Sequence, residues 1–249
     1  MAKTPKTLQK LFVEVERKFH PKSNFGSLLS HNSGGGDDGS VNRQPPFKSV
    51  QWLRRSRFHD IYYDHDDNTL SKRGLWIRCR DGEWQAKLKL GGDFSNSQFR
   101  EISGWGEIED ILREYQQQQR QEQSKADQSS IPRRRLSDLK VLAEFTTVRD
   151  AWRVDDRFGV VVDETDFGHA VGEVELVRCI EVESGEGGNE NELRKKHSAL
   201  QKVVATSLDE DIESFMERYR WAFGNDKPVG KLSAYFAQKA SMIEKTEKY

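Results

Sequence analysis

Phe12-Val13-Glu14-Val15-Glu16-Arg17-Lys18-Phe19 is the stretch that decides how this chain is read. With the two-residue period of an extended strand, Glu14, Glu16 and Lys18 share one face and Val13, Val15 and Arg17 the other. Strand rise sets Glu14 and Glu16 roughly 6–7 Å apart, with Lys18 one step beyond. Two carboxylates and an ammonium so spaced can hold a divalent cation beside a phosphate, since hard cations take oxygen ligands and phosphates take cations. By itself the segment also reads as a solvated strand of alternating charge. The same pattern recurs along the chain, and that recurrence carries the reading further.

The extended runs Leu70-Ser71-Lys72-Arg73-Gly74-Leu75-Trp76-Ile77-Arg78-Cys79-Arg80 and Glu83-Trp84-Gln85-Ala86-Lys87-Leu88-Lys89-Leu90 flank Asp81-Gly82, a strong hairpin signal. Trp76, Arg78 and Arg80 share one face of the first arm; Gln85, Lys87 and Lys89 share one face of the second. Leu139–Val154 reads as a strand, or a bent pair of strands, carrying Arg149. After a turn at Asp155–Gly159, Val160–Glu164 reads as a buried strand ending in acid, with Asp163. Ala170–Glu183 brings Glu173 and Glu175 to one parity.

Around these lie a short helix at Phe25–Leu29, a strand at Gln51–Asp64, a turn at Asp64–Asn68 and a strand at Phe99–Ile108. A helical start follows at Ile111–Tyr115. Helical patterns occupy Glu192–Ser207 and Ile212–Phe223, the second with Ile212, Phe215, Met216, Tyr219 and Phe223 as a packing stripe. Pro228-Val229-Gly230-Lys231 opens a terminal helix or strand. Polar inserts fall near 30–46, 116–135 and 184–191, and Arg133-Arg134-Arg135 within the second reads as a solvated loop. The expected fold is α+β: about eight hairpin-connected strands closing into an antiparallel barrel, with flanking helices.

The 249 residues suit one barrel-sized domain, expected to span 1–249 with the inserts set aside. Hydrophobic content is 35% against 33% charged, lean enough to suggest charge inside as well as outside. A net charge of -1 argues against bulk electrostatic binding to nucleic acid or membrane. Cys79 and Cys179 form no disulfide framework or metal-ligand spacing and suit a reducing compartment. No apolar run reaches membrane-spanning length. Met1–Lys10 is basic and free of acids, yet too short for a removable presequence before the first strand. The expectation is a cytoplasmic monomer.

If the charged faces turn inward, acids (Glu14, Glu16, Asp163, Glu173, Glu175) and bases (Lys18, Arg78, Arg80, Lys87, Arg149, Lys231) meet inside. Buried charges demand partners, and a divalent cation with a polyanion satisfies both sets. That is the chemistry of a triphosphate held lengthwise.

Glu14-Val15-Glu16-Arg17-Lys18 matches the ExExK signature of the triphosphate tunnel metalloenzymes, the CYTH superfamily. The chain resembles that superfamily from the first strand to near its end. Asp60-Ile61-Tyr62-Tyr63-Asp64, Trp76–Arg80 and Asp166–Glu175 resemble, in the same order, the thiamine-triphosphatases within it. The resemblance implies an eight-stranded barrel and a hydrolase with Mg²⁺ as cofactor. It implies Glu14, Glu16, Asp163, Glu173 and Glu175 as metal face and Lys18, Arg78, Arg80, Lys87, Arg149 and Lys231 as triphosphate cradle. It makes Glu14, Glu16 and Lys18 the catalytic signature and Trp76 the surface against which thiamine stacks. Two positions depart from the thiamine-triphosphatase pattern: Val161 replaces the first of two alternating aspartates, and Ser233 replaces a methionine that often closes the thiamine pocket.

The expected reaction is therefore Mg²⁺-dependent hydrolysis of thiamine triphosphate to the diphosphate and phosphate. An inorganic tripolyphosphatase on the same scaffold and a non-catalytic polyphosphate-binding module are the alternatives. Adenylate cyclase and RNA triphosphatase chemistry are more distant options on this fold.

Overall fold

The computed structural model describes residues 8–31, 45–123, 138–183, 190–224 and 226–246. Eight strands are hydrogen-bonded in the closed order β1-β5-β4-β3-β2-β6-β7-β8. They are β1 (Leu8–Phe19), β2 (Val50–Asp64), β3 (Leu75–Arg80), β4 (Glu83–Gly92), β5 (Asn96–Ser103), β6 (Lys140–Val154), β7 (Phe158–Thr165) and β8 (Ala170–Glu183). The helices are α1 (Phe25–His31), α2 (Thr69–Lys72), α3 (Trp105–Gln123), α4 (Glu190–Arg218), α5 (Arg220–Phe223) and α6 (Lys231–Thr246). The expected eight-stranded antiparallel barrel with flanking helices is what forms. No described helix is long and apolar enough to cross a membrane.

Several boundaries differ from the sequence pattern, each for a physical reason. β1 begins at Leu8 because β8 supplies a partner for every residue of it, from Leu8 opposite Glu183 to Phe19 opposite Gly172. β5 stops at Ser103, since Gly104 turns the backbone to φ 91°, and Ile108 joins a helix instead. That helix, α3, runs through Gln116–Gln123, where Gln, Glu and Arg are good helix formers. The two helical patterns after residue 190 join in one helix, α4, as far as Arg218, because Leu208-Asp209-Glu210-Asp211 contains no breaker, and the end of the second pattern forms the separate α5. The segment at Lys231 is a helix. Of the three polar inserts, residues 32–44, 124–137 and 184–189, with Arg133-Arg134-Arg135, lie outside the described residues.

The chain divides into two compact units. The first comprises Met1–Arg57, Leu90–Arg100 and Thr146–Tyr249. Its core joins Val13 and Val15 of β1, Val174 of β8 and Val160 of β7 to Leu208, Ile212 and Phe215 of α4 and to Tyr219 just beyond it. Those α4 positions recur at helical spacing, so one stripe of the helix is apolar. Each fully buried valine or leucine contributes about 1.5–3 kcal/mol, which explains why the Val13–Val15 side of β1 faces α4. Arg17, on that same side, donates from Nε to Asp209 Oδ1 at 2.9 Å. Tyr219 donates to Asp155 Oδ2 at 2.8 Å. Burial and that carboxylate push its phenol up to about 12. Phe19 lies across Gly172, whose Cβ, if it had one, would fall 2.2 Å from the ring.

The second unit comprises Phe58–Lys89 and Glu101–Phe145. The Asp81-Gly82 hairpin forms as expected, both residues at positive φ (49° and 90°), the geometry of a tight two-residue turn. Ile77 and Ala86 face each other across β3 and β4 and pack with Ile102 and the Ile108, Ile111 and Leu112 side of α3. Before β3 the run from Leu70 is a helical turn, α2, and not a strand. The Asp64 carboxylate accepts the Leu70 and Ser71 N–H groups at 3.0 and 2.9 Å, which fixes the turn.

Candidate active site

In the first unit, strand register determines which side chains meet. Glu16 stands opposite Glu175 and Lys18 opposite Glu173 across β1 and β8. Val161 stands opposite Glu173 across β7 and β8, and Arg149 opposite Asp163 across β6 and β7. Directly opposed residues share a sheet face, so Glu14, Glu16, Lys18, Arg149, Asp163, Glu173 and Glu175 occupy one face, the reverse of the valine side. Lys231, the first residue of α6, reaches the same group through Asp163 and lies 3.9 Å from Glu173. Eight residues expected from the sequence thus come together in one unit.

These charges compensate one another. Arg149 donates from Nε and Nη2 to the two Asp163 oxygens at 2.6 and 2.7 Å and reaches Glu173 at 3.3 Å and Glu175 at 3.5 Å. Lys18 Nζ donates to Glu16 Oε1 at 2.5 Å. Asp163 is fully buried, and Glu14, Glu16 and Glu173 nearly so. Burial alone would raise the Asp163 pKa, but Lys231 and Arg149 outweigh it and hold the carboxyl well below the usual range. The same carboxylates, led by Glu175, overcome the burial of Arg149 and push its pKa up. Thr147, two residues before Arg149 on the same face, is fully buried. Its Oγ1 has no hydrogen-bond partner among the described residues.

The second unit carries its own charged face. Asp60 lies opposite Arg80, Tyr62 opposite Arg78, Arg78 opposite Gln85 and Trp76 opposite Lys87, so all seven share one side of β2, β3 and β4. Arg80 makes a two-pronged ion pair with the fully buried Asp60, Nε and Nη2 each at 2.7 Å. Arg78 donates from Nε to Gln85 Oε1 at 2.9 Å. Lys87 lies 4.0 Å from Glu101. Trp76 is half-buried beside these cations.

The oxygen donors of the first unit suit a hard divalent cation. As they stand, no three His, Cys, Asp or Glu side chains among the described residues converge to hold an ion. Lys18, Arg149 and Lys231 neutralise several of the carboxylates instead, Asp163 most completely.

Residues 49–209 match the CYTH domain family over more than half of the chain. The chain belongs to the CYTH domain family. Among solved structures, this CYTH protein is similar to a protein of Pyrococcus horikoshii, with 14% identity and TM-score 0.48 over 90% of this chain and 99% of the other. It is also similar to an adenylate cyclase candidate of Bacillus halodurans, with 17% identity and TM-score 0.44 over 90% and 97%. A third is an adenylyl cyclase candidate of Hippeastrum described as having a dominant triphosphatase activity, with 14% identity and TM-score 0.44 over 91% and 96%.

The family match begins after β1 and ends within α4. In this CYTH protein Glu14, Glu16, Lys18 and Lys231 therefore lie outside the matched range. The β1–β8 register and the Lys231–Asp163 pair bring them to the matched acids. Pattern reading passed over Asp60, Gln85 and Thr147 as site residues. For Thr147 the usable signal is parity, since it shares a strand face with Arg149; Asp60 joins Arg80 only through the β2–β3 register.

Proposed function

We propose that this CYTH protein is a phosphoanhydride hydrolase that cleaves the terminal phosphate of an organic triphosphate, thiamine triphosphate above all. We place it in the cytoplasm as a monomer with Mg²⁺ as cofactor. The observation that carries this reading is the single sheet face on which Glu14, Glu16, Glu173 and Glu175 lie among Lys18, Arg149 and Lys231. Opposite charges at such density are what a metal–polyphosphate pair requires.

Glu14, Glu16, Glu173 and Glu175 would hold the cation, with Asp163 as a fifth carboxylate. When bound, Mg²⁺ would neutralise charge on the phosphoryl oxygens. Lys18, Arg149 and Lys231 would exchange their present carboxylate partners for phosphate oxygens and stabilise the charge that develops as the terminal phosphoryl group departs. Arg78, Arg80 and Lys87 are proposed as further phosphate-binding cations, and Trp76 as the surface for an aromatic leaving group. A carboxylate of the β1–β8 face would orient the attacking water in line with the bond that breaks.

The test is phosphate release from thiamine triphosphate and from inorganic tripolyphosphate, side by side, with Mg²⁺ and with chelator. Faster Mg²⁺-dependent release from thiamine triphosphate is the expected result. Ser233 favours a second reading: it is an exposed, small polar residue where an apolar side chain would close over thiamine. Preference for tripolyphosphate would make the protein an inorganic tripolyphosphatase. Tight tripolyphosphate binding without release from either substrate would make it a polyphosphate-binding module.

A further inference from the structure

Building on the triphosphate reading above, we propose that Asp60 is a positioning residue: it presets the guanidinium of Arg80, and with it that of Arg78, for phosphate. Asp60 lies on β2 directly opposite Arg80 on β3 and is 0% exposed. Its two oxygens accept Arg80 Nε and Nη2 at 2.7 Å each, while Oδ1 also lies 3.9 Å from Arg78 Nε. The Phe58 ring covers Arg80 with Cζ 3.7 Å from its centroid.

An arginine side chain has several rotatable bonds, and fixing it at the moment of binding costs entropy. The carboxylate fork and the aromatic plane fix that geometry beforehand. Arg78 is held in the same manner, by Gln85 at its Nε. Both members of the Arg-x-Arg pair are gripped along their Nε edges, so the planar guanidinium ends are oriented before an anion arrives. Preset guanidiniums suit bidentate recognition of phosphate. An ordinary buried ion pair would need only one guanidinium for this carboxylate; here two alternate residues of one strand face share it.

Two readouts test the assignment. The first needs no ligand. The Nε–Hε NMR resonance of Arg80, assigned by its absence in Arg80→Lys, should be sharp in the wild-type protein and lost to exchange in Asp60→Asn. Asn keeps the volume but turns an NH₂ toward the guanidinium. An Arg80 resonance unchanged in Asp60→Asn would overturn the proposal. The second is tripolyphosphate affinity by calorimetry, which should fall about tenfold or more in Asp60→Asn. KM should rise more than kcat falls, with partial recovery in Asp60→Glu. In an Arg80→Ala background the loss from Asp60→Asn should shrink to the smaller part carried by its longer contact with Arg78; fully additive losses would show that Asp60 does not act through Arg80. Should Asp60→Asn fail to fold, Asp60→Glu, which keeps the charge but displaces the fork, carries both readouts with intermediate effects expected. A wild-type protein that shows the Arg80 resonance but binds no tripolyphosphate would refute the triphosphate reading and leave the Arg80 geometry standing.

Discussion

Arg149 and Asp163 face each other across β6 and β7 and close a two-pronged ion pair inside the protein. A base expected to bind phosphate and an acid expected to bind metal are thus bound to each other. The pair offsets the cost of burying both charges, and Lys231 adds a second cation to Asp163.

Asp163 makes the acid limb of stability predictable. Its folded pKa lies below the unfolded value, so its contribution is complete above about pH 4 and disappears as pH falls through the folded value. Asp163→Asn should destabilise the protein by about 3–5 kcal/mol at neutral pH, because it removes the buried carboxylate nearest to two cations and leaves them only longer contacts to Glu173 and Glu175. It should also flatten the pH dependence below about pH 4. Urea titrations of both proteins across that range check this; an equally steep acid limb in Asp163→Asn would refute it.

Glu16 stands opposite Glu175 and also pairs with Lys18. Under the proposed chemistry Glu16→Ala should reduce triphosphate turnover at least about a hundredfold, the scale of losing one preorganised electrostatic group. Phosphate release measured over a range of Mg²⁺ concentrations is the check. Near-normal rates would remove Glu16 from the metal face.

Trp76 separates the two substrates. Trp76→Ala should raise KM for thiamine triphosphate about tenfold, the scale of a lost aromatic stack, and leave tripolyphosphate cleavage unchanged. Parallel steady-state kinetics decide. Equal losses on both substrates would assign Trp76 to packing.

Tyr219 governs the alkaline limb. Its folded pKa of about 12 exceeds the unfolded value of 10.0, so the unfolded chain loses this proton first as pH rises. Its contribution is complete below about pH 10 and declines between the two values. Tyr219→Phe should be less stable at neutral pH and show a shallower decline from pH 10 to 12. Thermal unfolding at several pH values reads both; an unchanged slope would contradict the assignment.

Gly172 tests close packing. Gly172→Ala places a methyl group inside the buried Phe19 ring, which must then leave its place beside Phe25 and Phe223. A loss of about 1–3 kcal/mol is expected, the usual cost of overpacking. Denaturant midpoints measure it, and a stability equal to wild type would mean that Phe19 has room to move.

The strands that carry the site were legible because each alternates apolar and charged residues, as Val13-Glu14-Val15-Glu16 does, and such alternation admits few other conformations. Burial of Val13 and Val15 against α4 then fixes which side the glutamates take. What stayed hidden depends on partners distant in sequence. Nothing local to Leu8-Gln9-Lys10-Leu11 demands a strand; β8 imposes it. Leu70-Ser71-Lys72 reads as strand until the Asp64 carboxylate is seen to accept its N–H groups. Asp60 read as one residue of a family-like segment, and its role emerges only from standing across from Arg80.

The pairing of β1 with β8 also has a consequence for biosynthesis. Each residue of β1 finds its partner more than about 150 positions later in the chain, a separation that makes closure entropically slow. On a ribosome β1 emerges well before β8 and waits with an unpaired edge until more than about 150 further residues have been made. Glu14 and Glu16 meet Glu173 and Glu175 only at that late seam, so no nascent fragment lacking β8 can carry an assembled acidic face.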